Sequence, residues 1–244
     1  MPPLVRVKHL EKIYDVSGVK TPALRGVDLE VLPGEFTALA GPSGSGKSTL
    51  LHLIGGLDHP TSGEVWLSGK RVDQLARTEL ADLRLRHLGF IFQAYNLIPV
   101  LTALENAAFV LELRGVPRRE REQRALLALE TLGMAEFAAR RPNQLSGGQQ
   151  QRVAVARALA AEPAVILADE PTANLDRKTG EALIEYMKML NQMQGITFVF
   201  STHDPRLLAH VTRTVELEDG QVKSDSAQAQ AQRRDGSSVT SVTF

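Results

Sequence analysis

Apolar residues change their spacing several times along this chain, and each change marks an element. "LVRVKHL" near the start and "GVDLEV" after it read as strands. "EFTALAG" follows as a third, set off by the turn pair Pro33-Gly34. "KSTLLHLIGGL" has helical spacing and stops at Gly55-Gly56. Further strands are predicted at "GEVWLSG" and "LGFIFQ", the second ending at Gln93. From Thr102 to about Leu132 the period is helical; Thr102 and Glu105 have capping-box spacing, and Pro117 suits the first turn of a second helix. "AVILADE", from Ala164 to Glu170, is an unbroken apolar run closed by two acids, as in a central parallel strand covered on both faces. A helix from about Thr179 to Met193, the apolar strand "ITFVFSTH" and the hairpin "RTVELEDGQV", turning at Asp219-Gly220, complete the pattern.

Strands alternating with helices predict an α/β fold with a parallel sheet flanked by helices. The helical stretch at about 97–159 interrupts that alternation and reads as an inserted subdomain. We expect one domain over residues 1–223. Residues 224–244, "SDSAQAQAQRRDGSSVTSVTF", are polar, repetitive and poor in core formers, which predicts a disordered tail.

Composition narrows the function. The 244 residues are 43% hydrophobic, with 28 basic residues balancing 28 acidic ones. Zero net charge and no dense basic patch give no reason to expect nucleic acid as a partner. There is no cysteine, so disulfides, thiolate zinc sites and cysteine nucleophiles are excluded. No apolar run approaches the roughly 20 residues that cross a bilayer, and the N-terminus lacks a signal peptide's apolar core. A soluble, cytoplasmic protein is expected, with any membrane spanning done by another polypeptide.

"GPSGSGKST", Gly41 to Thr49, carries the chemistry. Gly41, Gly46, Lys47 and Ser48 occupy every defined position of a phosphate loop between a strand and a helix. Glycines let successive N–H groups converge on phosphates, Lys47 adds a point charge, and the Ser48 hydroxyl suits Mg²⁺. The pattern points to a nucleoside triphosphate and leaves open what its energy is for. Asp169 ends a buried strand, where such sheets place ligand chemistry, and suits the Mg²⁺ sphere; Glu170 beside it suits a general base. Three further residues have two readings each. Gln93 either reaches the Mg²⁺ or the attacking water with its amide, or is a polar strand end. His203 either contacts a γ-phosphate or is structural, and Tyr14 either stacks on adenine or covers core.

A second anion site is written at "NQLSGGQQQRVAVARAL", from Asn143. Ser146, Gly147 and Gly148 lead into a helical run, so bare N–H groups stand at the positive end of a helix. One small chain thus carries two phosphate cradles.

Together these residues resemble the nucleotide-binding domain of ATP-binding-cassette (ABC) proteins over nearly the whole chain, to about Val222. "LSGGQ", Leu145 to Gln149, is that family's signature motif. The resemblance implies a P-loop ATPase core with a mainly parallel sheet, an N-terminal antiparallel β-subdomain and an inserted helical subdomain. It implies ATP and Mg²⁺ as ligands, with the nucleotide held by Gly41, Pro42, Ser43, Gly44, Ser45, Gly46, Lys47, Ser48 and Thr49. Ser48, Asp169 and Gln93 would serve the metal, and Tyr14 would stack on adenine. Gln93 becomes the Q-loop glutamine, Glu170 the catalytic base, His203 the switch histidine, and Asp176 of "NLD" the D-loop aspartate acting across a dimer interface. Two such domains pair head to tail, so that Ser146, Gly147, Gly148 and Gln149 of one close on the nucleotide of the other; that accounts for the second cradle.

Within the family, "FIFQAYNLIPVLTALENA" and "ADEPTANLD" are most similar to the ATPases of lipoprotein-release and macrolide-export systems, and the insertion "YDVSGVKTPALRGVDLEV" fits the same branch. These ATPases serve transmembrane permease subunits from the cytoplasmic face of the inner membrane. Ala173 departs from the branch, which commonly has glycine before "NLD", and the polar tail is not covered. A soluble ABC ATPase acting on nucleic acid or ribosomes is the alternative; such proteins usually carry coiled-coil or zinc insertions, or two cassettes in one chain. The apolar residues of "QAYNLIPVLTALEN" have two readings: a helix of the membrane subunit docks beside residues 94–101, with Leu97 and Ile98 in its path, or these residues only fasten the helical lobe to the core; the first is the expectation.

Overall fold

The computed structural model describes residues 1–227; residues 228–244, most of the expected tail, lie outside the described residues. Two sheets organise the chain. β1 (Val5–Val16), β2 (Val19–Val31), β4 (Ser62–Leu67) and β5 (Lys70–Arg71) form an antiparallel sheet in the order β2-β1-β4-β5. β3 (Phe36–Ala40), β6 (Leu88–Ile91), β7 (Val165–Asp169), β8 (Thr197–Ser201), β9 (Arg213–Glu218) and β10 (Gln221–Asp225) form the second, in the order β10-β9-β3-β8-β7-β6. Its strands run parallel except for β10, which returns antiparallel on β9.

The central strands are covered on both sides, and their alternation divides the core. Phe36, Ala38, Ile166, Ala168, Phe198 and Phe200 face one hydrophobic cluster. Leu39, Val165, Leu167 and Val199 face another. The first cluster packs α3 (Ala103–Leu113), α4 (Arg118–Thr131), α5 (Gly147–Ala160) and α6 (Arg177–Gln194) on the sheet, with Phe36 edge-on to Phe198 and Phe200. The second holds the antiparallel sheet, α1 (Lys47–Ile54) and α2 (Arg77–His87). A short helix, α7 (Pro205–Leu208), follows β8. The family fold expected from the sequence is the one observed. Thr102 and Glu105 form the expected capping box, the Thr102 N–H donating to Glu105 Oε2 at 2.7 Å and the Glu105 N–H to Thr102 Oγ1 at 3.2 Å.

Four details differ. The first two strands are longer than "LVRVKHL" and "GVDLEV", because Ser17 and Gly18 have φ of 54° and 84° and make a tight hairpin that keeps the intervening polar residues paired. α2 was not anticipated, since only Leu80 and Leu83 of its eleven residues are buried and the apolar stripe is thin. β6 ends at Ile91, so Gln93 stands in the turn beyond it. The expected tail boundary at residue 224 falls inside β10, which runs to Asp225; Asp225 is buried and pairs with Arg213 at 2.6 Å, and Arg213 also pairs with Glu35.

Candidate active site

β3 feeds the loop "GPSGSG" into α1 at the C-terminal edge of the parallel sheet. Gly46, with φ 101°, is the N-cap of α1, and a Cβ there would stand 2.6 Å from the Ala23 carbonyl oxygen. Only glycine lets the loop seat against β2. Gly44, with φ 82°, meets nothing within 4 Å and borders a cleft of about 480 Å³. Bare backbone at the start of a helix, facing open space, suits a phosphate.

Ser43, Gly44, Gly46, Lys47, Ser48 and Thr49 line this cleft, with Ala23, Gln93, Glu170 and His203. Gly41, Pro42 and Ser45 do not. Lys47 Nζ donates to the carbonyl oxygens of Gly41 and Pro42 at 2.8 and 2.9 Å, and the Ser45 side chain is buried. The register of β7 and β8 sets Asp169 beside Ser201. Ser48 Oγ donates to Asp169 Oδ1 at 2.8 Å and lies 3.4 Å from Ser201 Oγ, while His52 Nε2 stands 3.7 Å from Asp169 Oδ2. A hydroxyl and a carboxylate side by side are hard oxygen donors of the kind Mg²⁺ takes. The sequence reading named Ser48 and Asp169; it missed Ser201 and His52, which only the folded register brings near.

Glu170 leaves β7 with φ 45° and donates its N–H to Ser201 O at 2.8 Å. One carboxylate oxygen is 2.7 Å from His203 Nδ1 and the other 3.4 Å from Thr202 Oγ1. Next along the chain, Asp204 accepts from Thr172 Oγ1 at 2.6 Å and from Arg206. Burial pushes the Asp204 carboxyl up, but the hydrogen bonds from Arg206 and Thr172 outweigh it and bring it down to about 2. Gln93 enters the cleft from its turn, and its carbonyl oxygen accepts from Asn174 Nδ2 at 2.9 Å, a tie to the "NLD" loop that spacing did not show.

Other candidates lie elsewhere. Tyr14 is exposed on β1 and does not line the cleft; its hydroxyl donates to Asp58 Oδ2 at 3.1 Å, and Lys12 Nζ is 4.8 Å from its ring centroid. Asp176 caps α6 by accepting from the Thr179 N–H at 3.1 Å. The loop from Ser146 to Gln149 is also outside the cleft. Ser146 caps α5, and the Gln149 side chain accepts from the Ser146 N–H at 2.8 Å, closing a capping box. Both glycines have neighbours within the chain: a Cβ on Gly147 would lie 2.8 Å from the Tyr95 hydroxyl, and one on Gly148 would overlap Thr179 Cγ2.

A second cavity, of about 340 Å³, is apolar and lies among α2, β6 and α3. Its walls include Leu57, Phe90, Phe92, Val110 and Leu113, with Asn96 and Arg157. Arg157 donates to the carbonyl oxygens of Asn96 and Tyr95 at 2.6 and 3.0 Å. Of residues 94–101 Asn96 borders this groove; Leu97 is partly buried against the core cluster, the Ile98 N–H donates to Asn106 Oδ1 at 2.8 Å, and Val100 is exposed.

Residues 24–173 match the profile of the ABC transporter family. The chain is 42% identical to the lipoprotein-releasing system ATP-binding protein LolD of Syntrophus aciditrophicus, over 90% of this chain and 98% of that one. It is 45% identical to the macrolide export ATP-binding/permease protein MacB of Wolinella succinogenes, over 90% of this chain but 34% of the longer protein. Among solved structures, it aligns with the dimeric, post-hydrolysis state of the ATP-binding cassette MJ0796 bound to ADP and Pi, at a TM-score of 0.84 and 45% identity, covering 91% of this chain and 97% of that one.

Proposed function

The chain belongs to the ABC transporter family, in its LolD- and MacB-like branch, and from that premise we propose that it is the ATP-hydrolysing subunit of a transporter complex. It pairs head to tail with a second cassette and drives separate membrane subunits from the cytoplasmic face. One observation carries the reading: Lys47, Ser48, Asp169, Glu170, His203 and Gln93 belong to a single cleft region, while the α5 N-terminus stands outside it. A chain alone thus offers half of each composite site, which ties hydrolysis to closure. Among the described residues no helix is long and apolar enough to cross a membrane, in keeping with separate spanning subunits.

Each residue then has a definite task. The N–H groups from Gly44 to Thr49 cradle the phosphates, and Lys47 turns its ammonium from the loop carbonyls to phosphate oxygen. Ser48, Asp169 and Gln93 would hold Mg²⁺, which would supply neutralisation of phosphate charge when bound. Glu170 accepts the proton of the attacking water, and His203 fixes the orientation of that carboxylate. Ser146, Gly147 and Gly148 present their end of α5 to the neighbour's nucleotide, and Asp176 acts across the same interface. Residues 1–225 act as one domain, with 97–159 as its helical part. The primary test is phosphate release from ATP by the purified chain: Mg²⁺-dependent turnover that Lys47→Ala eliminates is expected, and turnover indifferent to Lys47 would contradict the reading.

Tyr14→Ala is expected to weaken ATP binding by about two- to tenfold, the contribution of one stacked ring, without changing kcat. Titration with a fluorescent nucleotide checks this. An unaltered affinity would make Tyr14 a surface residue held by Asp58 and Lys12.

The apolar groove fits a short helix of a membrane subunit, with Arg157 joining it to the turn beyond Gln93. Leu113 is 58% exposed at the groove, so Leu113→Glu adds a charge there without disturbing the core. Basal ATPase of the isolated chain should stay as it is, and the membrane subunits should no longer co-purify in detergent. Unimpaired co-purification would place the docking surface elsewhere.

A further inference from the structure

α5 opens at the loop Ser146–Gly148, and about one turn on Gln151 is fully buried, its Nε2 donating to the Pro171 carbonyl oxygen at 2.8 Å. Pro171 directly follows Glu170, whose left-handed backbone persists in a non-glycine residue only where its surroundings fix it. The turn is closed by its own bond from the Ala173 N–H to Glu170 O at 3.2 Å, and three further bonds tie its frame to neighbouring elements. The Glu170 N–H donates to Ser201 O, Thr172 Oγ1 donates to Asp204, and Gln151 donates to Pro171 O. Two of these reach β8 and the loop after it. The third reaches the helix that carries Gly147 and Gly148.

Gln151 is a costly residue to keep there. A buried primary amide is tolerated when its polar atoms are paired, yet Gln151 Oε1 is buried without a hydrogen-bond partner among the described residues. An apolar side chain of the same length would fill the space without that penalty, so packing alone does not account for an amide at this position. Its one bond does.

We infer that Gln151 is a positioning residue. It fixes the turn that aims the Glu170 carboxylate, and it ties that turn to the helix whose N-terminus closes on the neighbouring chain's nucleotide. The tie to a neighbour's nucleotide rests on the head-to-tail reading; the aiming of Glu170 does not.

Gln151→Met keeps the side-chain length and removes the donor. At saturating ATP its kcat should fall about tenfold, the loss of one hydrogen bond felt at the transition state, while the affinity for ATP stays within about twofold. Gln151→Glu, which sets a carboxylate against the carbonyl, should lose at least as much and serves as the second variant if methionine impairs folding. In a Glu170→Gln background, light scattering should show that Gln151→Met still forms an ATP-dependent dimer, because the loop 146–148 is untouched. An undiminished kcat in both variants overturns the inference. So does a kcat loss accompanied by loss of the ATP-dependent dimer, since Gln151 would then be supporting the α5 N-terminus and not Glu170. If Glu170→Gln alone forms no dimer with ATP, the head-to-tail reading fails, and the division between kcat and ATP affinity still decides the role of Gln151.

Discussion

Glu170→Gln lowers hydrolysis by about 10²–10⁴-fold, the usual effect of losing a positioned general base, and leaves ATP binding in place. The amide has the size of the carboxylate and still offers an oxygen to Thr202 and a partner to His203, so the turn keeps its geometry. What it lacks is basicity. Water bound against the γ-phosphate then keeps its proton, and the closed, ATP-loaded dimer accumulates because nothing discharges it. Phosphate release and light scattering read the two halves of this expectation separately. Near-normal turnover with the membrane subunits present would remove Glu170 from the role of base.

Ser146→Arg should cost hydrolysis about 10²–10³-fold, comparable to removing the donors that meet developing charge, with ATP affinity of the same chain nearly intact. The expectation follows from where Ser146 lies: at the N-cap of α5 and not in the cleft that holds Lys47. Lys47→Ala should show the opposite profile, losing ATP binding outright. Substituting Gly147 or Gly148 is a poorer test, because their Cβ atoms collide with Tyr95 and Thr179 before any neighbour arrives. Ser146→Arg has its own cost, since loss of the cap destabilises α5 by about 0.5–2 kcal/mol, so the melting temperature must be followed alongside. Mixed with Lys47→Ala, the Ser146→Arg chain can restore at most one composite site. Equal loss of ATP affinity in the two variants would refute the head-to-tail arrangement.

The phosphate loop, the acids at the end of β7 and the capping box at Thr102 were legible because each is local: residue type and spacing within one turn or strand fix the geometry. The central sheet was legible for a related reason, since strands buried on both faces leave unbroken apolar runs such as "AVILADE". α2 escaped because two buried leucines do not make a period. The bonds from Gln151 to Pro171, from Asn174 to Gln93 and from Arg157 to Tyr95 escaped because they join residues 20 to 81 positions apart. Spacing carries no information about such pairs. Which apolar residues of "NLIPV" turn inward was not legible either: packing sets Leu97 partly against the core and leaves Val100 exposed.

The left-handed backbone at Glu170 sets stability against turnover at one position. Glutamate in that region carries a conformational cost of about 1–2 kcal/mol, whereas asparagine enters it readily. A chain with asparagine at 170 would relax that strain and, on the proposed reading, lose the base in the same step. With Glu170 as the base, Glu170→Asn is therefore expected to raise the melting temperature and abolish hydrolysis together.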